Sequence, residues 1–60
     1  MANSDRFSQI LDYLKIKKSA TVEELAGMLY VSLATVRRDL TELQKRGQIN
    51  RSHGGAVLME

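Results

Sequence analysis

The stretch Val31-Ser32-Leu33-Ala34-Thr35-Val36-Arg37-Arg38-Asp39-Leu40-Thr41-Glu42-Leu43 decides how this 60-residue chain is read. Ser32 is a natural N-cap, because its hydroxyl can accept from an N–H of the first helical turn that has no partner inside the helix. Beyond it, Leu33, Val36, Leu40 and Leu43 recur at helical spacing and share one face. Wound at about 100° per residue, the opposite face carries Ala34, Arg38, Thr41 and Lys45, with Thr35 and Arg37 on its flanks. One side is aliphatic and the other offers small residues, hydroxyls and cations. The pattern predicts a recognition helix, with one face in a core and the other in a nucleic-acid groove.

Sixty residues make one domain, 1–60, and a domain of this size buries only ~60% of its unfolded surface. There is no cysteine, so neither disulfides nor thiolate metal sites hold it together, and the lone His53 has no carboxylates spaced to share a metal. Net charge is only +2, but its distribution is uneven. Residues 1–32 hold four cations against four anions, whereas residues 33–53 hold five cations against two anions. The excess therefore falls on the predicted recognition helix and the segment directly after it, as an electrostatic footprint on nucleic acid requires. A merely solvated charged face is the plain alternative.

Upstream, Ser4 or Asp5 can cap a helix whose apolar positions are Phe7, Ile10, Leu11 and Leu14, and which ends in Lys15-Ile16-Lys17-Lys18 with cations at its C-terminus. It reads as a scaffold helix, with Lys17 and Lys18 either solvated or touching phosphate. Ser19-Ala20 reads as a short link. Thr21-Val22-Glu23-Glu24 is a capping box, and Val22, Leu25, Ala26 and Leu29 give a second helix of about two turns. Gly27-Met28-Leu29-Tyr30 is expected to loosen its end. Only Tyr30, Val31 and Ser32 then separate it from the third helix, so the two must cross steeply, as in a helix-turn-helix. Asp39 is expected to face sideways, where it can orient a neighbouring arginine or form an ordinary surface ion pair.

Downstream, Lys45-Arg46-Gly47 closes the third helix, with cations in its last turn and a glycine for the left-handed position after it. Gln48 to Ser52 reads as a strand, His53-Gly54-Gly55-Ala56 as a turn and Val57-Leu58-Met59 as a returning strand. A Gly54-Gly55 loop pairs His53 with Ala56 and Arg51 with Leu58, which sets Ile49, Arg51 and Leu58 on one awkwardly mixed face. The hairpin is a wing that must pack on the helices. Arg51 and His53, with Gly54 and Gly55 allowing close approach, suit a phosphate backbone or a minor groove. The expected fold is mainly α with a small β-hairpin, a three-helix winged helix-turn-helix.

Other classes of function find no support in these residues. His53 has no Ser, Cys or carboxylate placed to work with it, and Gly54-Gly55 is followed by neither Lys-Ser/Thr nor a helix. No enzyme activity and no cofactor is expected of this domain. No apolar run approaches the ~20 residues that span a bilayer, and residues 1–5 lead straight into a charged amphipathic segment. A soluble, cytoplasmic protein without a membrane partner is expected. A winged helix used for protein–protein contact is the remaining alternative.

The strings Thr21-Val22-Glu23-Glu24-Leu25-Ala26, Val31-Ser32-x-x-Thr35-Val36-Arg37-Arg38-Asp39-Leu40 and His53-Gly54-Gly55-Ala56, with Leu43, Gly47, Ile49 and Arg51, resemble the N-terminal winged helix-turn-helix of the DeoR family of bacterial transcription regulators. The resemblance runs from about Arg6 to Ala56. It implies a helix-turn-helix over about 20–39, a wing over about 48–59, and sequence-specific binding of double-stranded DNA, with repression of sugar or sugar-phosphate metabolism genes. The DNA contacts expected from the residues and the resemblance together are Ser32, Ala34, Thr35, Arg37, Arg38, Thr41, Arg51, His53, Gly54 and Gly55. Leu33 departs from the family, where Pro or a polar residue is common at the first helical turn. Members also continue into a C-terminal domain that binds a sugar-phosphate effector. The resemblance thus implies a longer homo-oligomeric protein, of which this is a DNA-binding domain, monomeric when isolated.

Overall fold

A computed structural model describes residues 2–59, with side chains from Asp5 onward. The elements run α1 (Ala2–Lys17), β1 (Ser19–Thr21), α2 (Val22–Leu29), α3 (Leu33–Lys45), β2 (Ile49–Ser52) and β3 (Gly55–Leu58). The three helices and the wing are as expected. Helix α1 begins at Ala2, so Ser4 and Asp5 lie inside it and neither caps it; Asp5 sits in the first turn, where its charge complements the positive helix end. Lys18 ends α1 in the left-handed region (φ 75°), its N–H donating to the Leu14 carbonyl at 2.8 Å.

Ser19-Ala20 is more than a link. With Thr21 it forms β1, which pairs antiparallel with β3 in a three-stranded sheet of order β1-β3-β2. Thr21 ends this strand and caps α2 at once. Its hydroxyl accepts from the Glu24 N–H at 3.0 Å, while the Glu24 carboxylate accepts from the Thr21 N–H at 3.1 Å. Helix α2 stays regular through Gly27 to Leu29, and Tyr30 turns the chain in the left-handed conformation (φ 59°, ψ 44°).

The wing turn sits one residue earlier than expected, which moves each cross-strand partner by two positions and keeps the faces. Ile49 pairs with Leu58, Arg51 with Ala56 and Ser52 with Gly55, so His53 and Gly54 form the two-residue turn. Gly54 supplies the positive φ (75°). Gly55 serves a different need: a Cβ there would lie 2.0 Å from the Ala20 carbonyl oxygen, so only glycine lets β3 approach β1.

The core gathers Ile10 and Leu14 from α1, Val22 and Leu25 from α2, Val36, Leu40 and Leu43 from α3, and Ile49 from the wing. Each fully buried aliphatic side chain is worth about 2 kcal/mol, and without disulfides these few hold the fold. Leu33 departs from its expected place: it stays 38% exposed while Val36, Leu40 and Leu43 are at 0%. Val31, just before the cap, is half-buried and packs on the core instead. Among the described residues no helix is long and apolar enough to cross a membrane.

Candidate nucleic-acid interface

Helix α3 presents two chemistries because its buried stripe is narrow. With Val36, Leu40 and Leu43 inward, Ala34, Arg37, Arg38, Thr41 and Lys45 are all exposed, and Thr35 is half-buried. Ser32 caps the helix as expected, its hydroxyl accepting from the Thr35 N–H at 3.1 Å. The same hydroxyl donates to the Thr35 Oγ1 at 3.0 Å, so the Ser32 proton is already committed. Among the described residues neither the Arg37 nor the Arg38 side chain has an ion-pair or hydrogen-bond partner. Their charge is undivided.

Asp39 explains why. It lies between no exposed arginines; it is buried, at 6% exposure, and accepts a bidentate fork from Arg6 of α1, Nη2 to Oδ1 at 3.1 Å and Nε to Oδ2. The pair holds the Arg6 guanidinium's proton more firmly than usual, chiefly through the hydrogen bond to Asp39. The expectation that Asp39 sits sideways on the surface is therefore corrected, because its partner lies 33 residues away on α1. Arg46 is likewise occupied, donating to Glu42 at 3.2 Å and lying 5.1 Å over the Phe7 ring. These two arginines brace α3 against α1, a role that no local pattern in the sequence announces.

The wing meets the same face. Arg51 and Ile49 point to one side of β2; Ile49 enters the core, and Arg51, farther out, reaches Thr41 of α3 (Nη1 to Oγ1, 3.5 Å). The Thr41 hydroxyl in turn donates to the Arg37 carbonyl at 2.9 Å. Thus the mixed face is not a contradiction: one end covers core and the other lies beside the recognition helix. His53 and Gly54 are exposed at the wing tip, but the tip is pinned, since the Gly54 carbonyl accepts from the Val22 N–H at 2.9 Å. Gly55 is buried against β1, which removes it from the candidate contacts. The other nine expected contacts share the surface of α3, its cap and the wing.

The family of DeoR-like helix-turn-helix domains matches residues 6–60. This chain belongs to that family. The DeoR-like domain is the DNA-binding part of transcriptional regulators, and the relatives are named accordingly. The HTH-type transcriptional regulator GlpR of Haloferax volcanii is 46% identical over 57 residues, which cover 95% of this chain and 22% of that protein. The HTH-type transcriptional repressor GlcR of Bacillus subtilis is 41% identical over 58 residues, covering 97% of this chain and 22% of that protein. The L-fucose operon activator of Escherichia coli is 49% identical over 51 residues, covering 85% of this chain and 21% of that protein. This DeoR-like chain thus spans about a fifth of the length of the curated relatives it matches. No solved structure matches it.

Proposed function

We propose that this DeoR-like domain binds duplex DNA sequence-specifically by laying α3 in the major groove. The observation that carries the reading is the exposed surface on which the Arg37 and Arg38 side chains have no partner among the described residues and Arg51 is delivered beside Thr41. Arginine suits both guanine O6/N7 and phosphate, and the Thr35 hydroxyl, whose own proton Ser32 does not use, suits a phosphate oxygen. Arg51, His53 and Gly54 brace the backbone next to the occupied groove. The domain is a binding module and not an enzyme, needs no cofactor of its own, and works in the cytoplasm where its DNA lies.

The whole regulator, in this reading, is a homo-oligomeric repressor of sugar or sugar-phosphate metabolism genes, released by a phosphorylated sugar bound outside this domain. A relative named a lactose phosphotransferase system repressor supports both repression and a sugar target, and one named an L-fucose operon activator supports the sugar target alone.

The test is fluorescence anisotropy on a labelled random-sequence duplex at two salt concentrations, comparing the chain with its Arg37→Ala/Arg38→Ala variant. With about three to five phosphate contacts, log affinity should fall with log salt at ~0.9 per contact. The double variant should lose most of the affinity and show a shallower slope. Unchanged DNA affinity in the variant would instead assign the basic face to an acidic protein partner.

A further inference from the structure

The first turn of a recognition helix is the part that reaches base edges in this class of fold. On α3 part of that turn's hydrogen-bonding capacity is spent internally: Ser32 both accepts from and donates to Thr35, and Thr35 is half-buried. Beside the Ser32 cap the turn exposes aliphatic surface: Leu33, 38% exposed, and Ala34 next to it. The arginines begin one turn later, at Arg37.

Leu33 lies outside the core cluster, whose fully buried positions on α3 start at Val36. At 38% exposure it offers an apolar surface at the leading end of a groove-binding helix, where base edges are read. In the major groove one base feature is apolar, the 5-methyl group of thymine. We infer that Leu33, flanked by Ala34, reads a thymine methyl, so that each half-site carries an obligatory T·A pair facing the N-terminal end of α3, ahead of the pairs that Arg37 and Arg38 contact. This rests on the major-groove reading proposed above and adds to it a specificity-determining residue of stated chemistry.

The experiment begins by selecting the tightest duplex from a random pool with the chain itself at low salt. Each thymine of that duplex is then replaced singly by deoxyuridine, which removes the methyl group and nothing else. One thymine per half-site should weaken binding about fourfold on replacement, the affinity equivalent of one buried methyl. In Leu33→Gln that same replacement should have no effect, while the response at every other thymine is retained. Circular dichroism verifies that the variant is folded, and Leu33→Ala provides a second, smaller truncation with a reduced response. If no thymine responds to loss of its methyl, or if Leu33→Gln responds as the parent does, the inference is wrong although DNA binding stands. If no duplex can be selected, the major-groove reading falls and takes this inference with it.

Discussion

Arg6 and Asp39 join the recognition helix to α1 through a partly buried ion pair. The pair ties the start of α1 to the middle of α3, with side chains only 22% and 9% exposed. Removing one member of such a pair strands the other charge away from water, which costs more than the pair's net worth. Arg6→Ala should therefore cost about 2 kcal/mol, read as a lowered urea midpoint at neutral pH. The double replacement Arg6→Met/Asp39→Leu should recover most of that loss, because an apolar pair has no stranded charge.

A second residue-scale prediction concerns acid. The Tyr13 hydroxyl donates to Glu24, and with the Thr21 N–H it holds the Glu24 carboxyl below the usual carboxylate range. A carboxyl lowered by folding stabilises the fold above its unfolded pKa, near ~4.3, and that contribution disappears as pH falls through the lowered folded value. In Tyr13→Phe the Glu24 titration, followed by NMR, should move up toward the unperturbed value. The acid-induced loss of stability should then become less steep. No movement in the Glu24 titration would mean that the tyrosine contact has no influence in solution.

Among the elements, the wing shows how two adjacent glycines can have unrelated jobs. Gly54→Ala meets open space and only a left-handed φ, a cost of about 1 kcal/mol. Gly55→Ala drives a methyl into the backbone of Ala20 and Thr21, which cannot move without parting β1 from β3. About 3 kcal/mol or more is expected, in a domain whose whole stability is about 5 kcal/mol. Thermal unfolding should separate the two variants clearly, with the midpoint of Gly55→Ala well below that of Gly54→Ala.

The same element shows what is legible in the sequence and what is not. The caps at Thr21 and Ser32 and the turn at Gly47 are legible because their causes lie within four residues of them. The three-residue β1 has no periodicity of its own, and its partner strand begins 34 positions after Thr21, at Gly55. The turn slips by one residue because both Gly54 and Gly55 satisfy a turn, and only the approach of Ala20 decides between them. Leu33 obeys the periodicity of α3 and still faces out, since a helical repeat cannot tell where the core beneath it stops. Asp39 misleads because its acceptor role depends on Arg6, 33 positions away. On α3 the exposure of Ala34, Arg37, Arg38 and Thr41 is legible from the helical repeat, whereas the burial of Gly55 is not.

At the scale of the molecule, the domain measures 26 × 23 × 20 Å between Cα extremes. Duplex DNA rises 3.4 Å per base pair, so one chain can shadow about 8 base pairs at most. Hydroxyl-radical footprinting on the selected duplex should show a protected segment of about that length per chain. Two chains on repeated half-sites should give two such segments spaced by a whole helical turn, about 10 base pairs centre to centre. Continuous protection well beyond this by a single bound chain would contradict a docked α3 and a short, pinned wing.

The strand order β1-β3-β2 places the last strand of the sequence at the centre of the sheet. During synthesis both helices of the helix-turn-helix are made before β3, yet the sheet that joins the α1–α2 connection to the wing cannot exist until β3 arrives. Nor can the Gly54 carbonyl meet the first turn of α2 before then. A nascent or prematurely terminated chain ending after α3 therefore carries the basic helix without the frame that aims it. The recognition helix is thus framed only once the wing has been made.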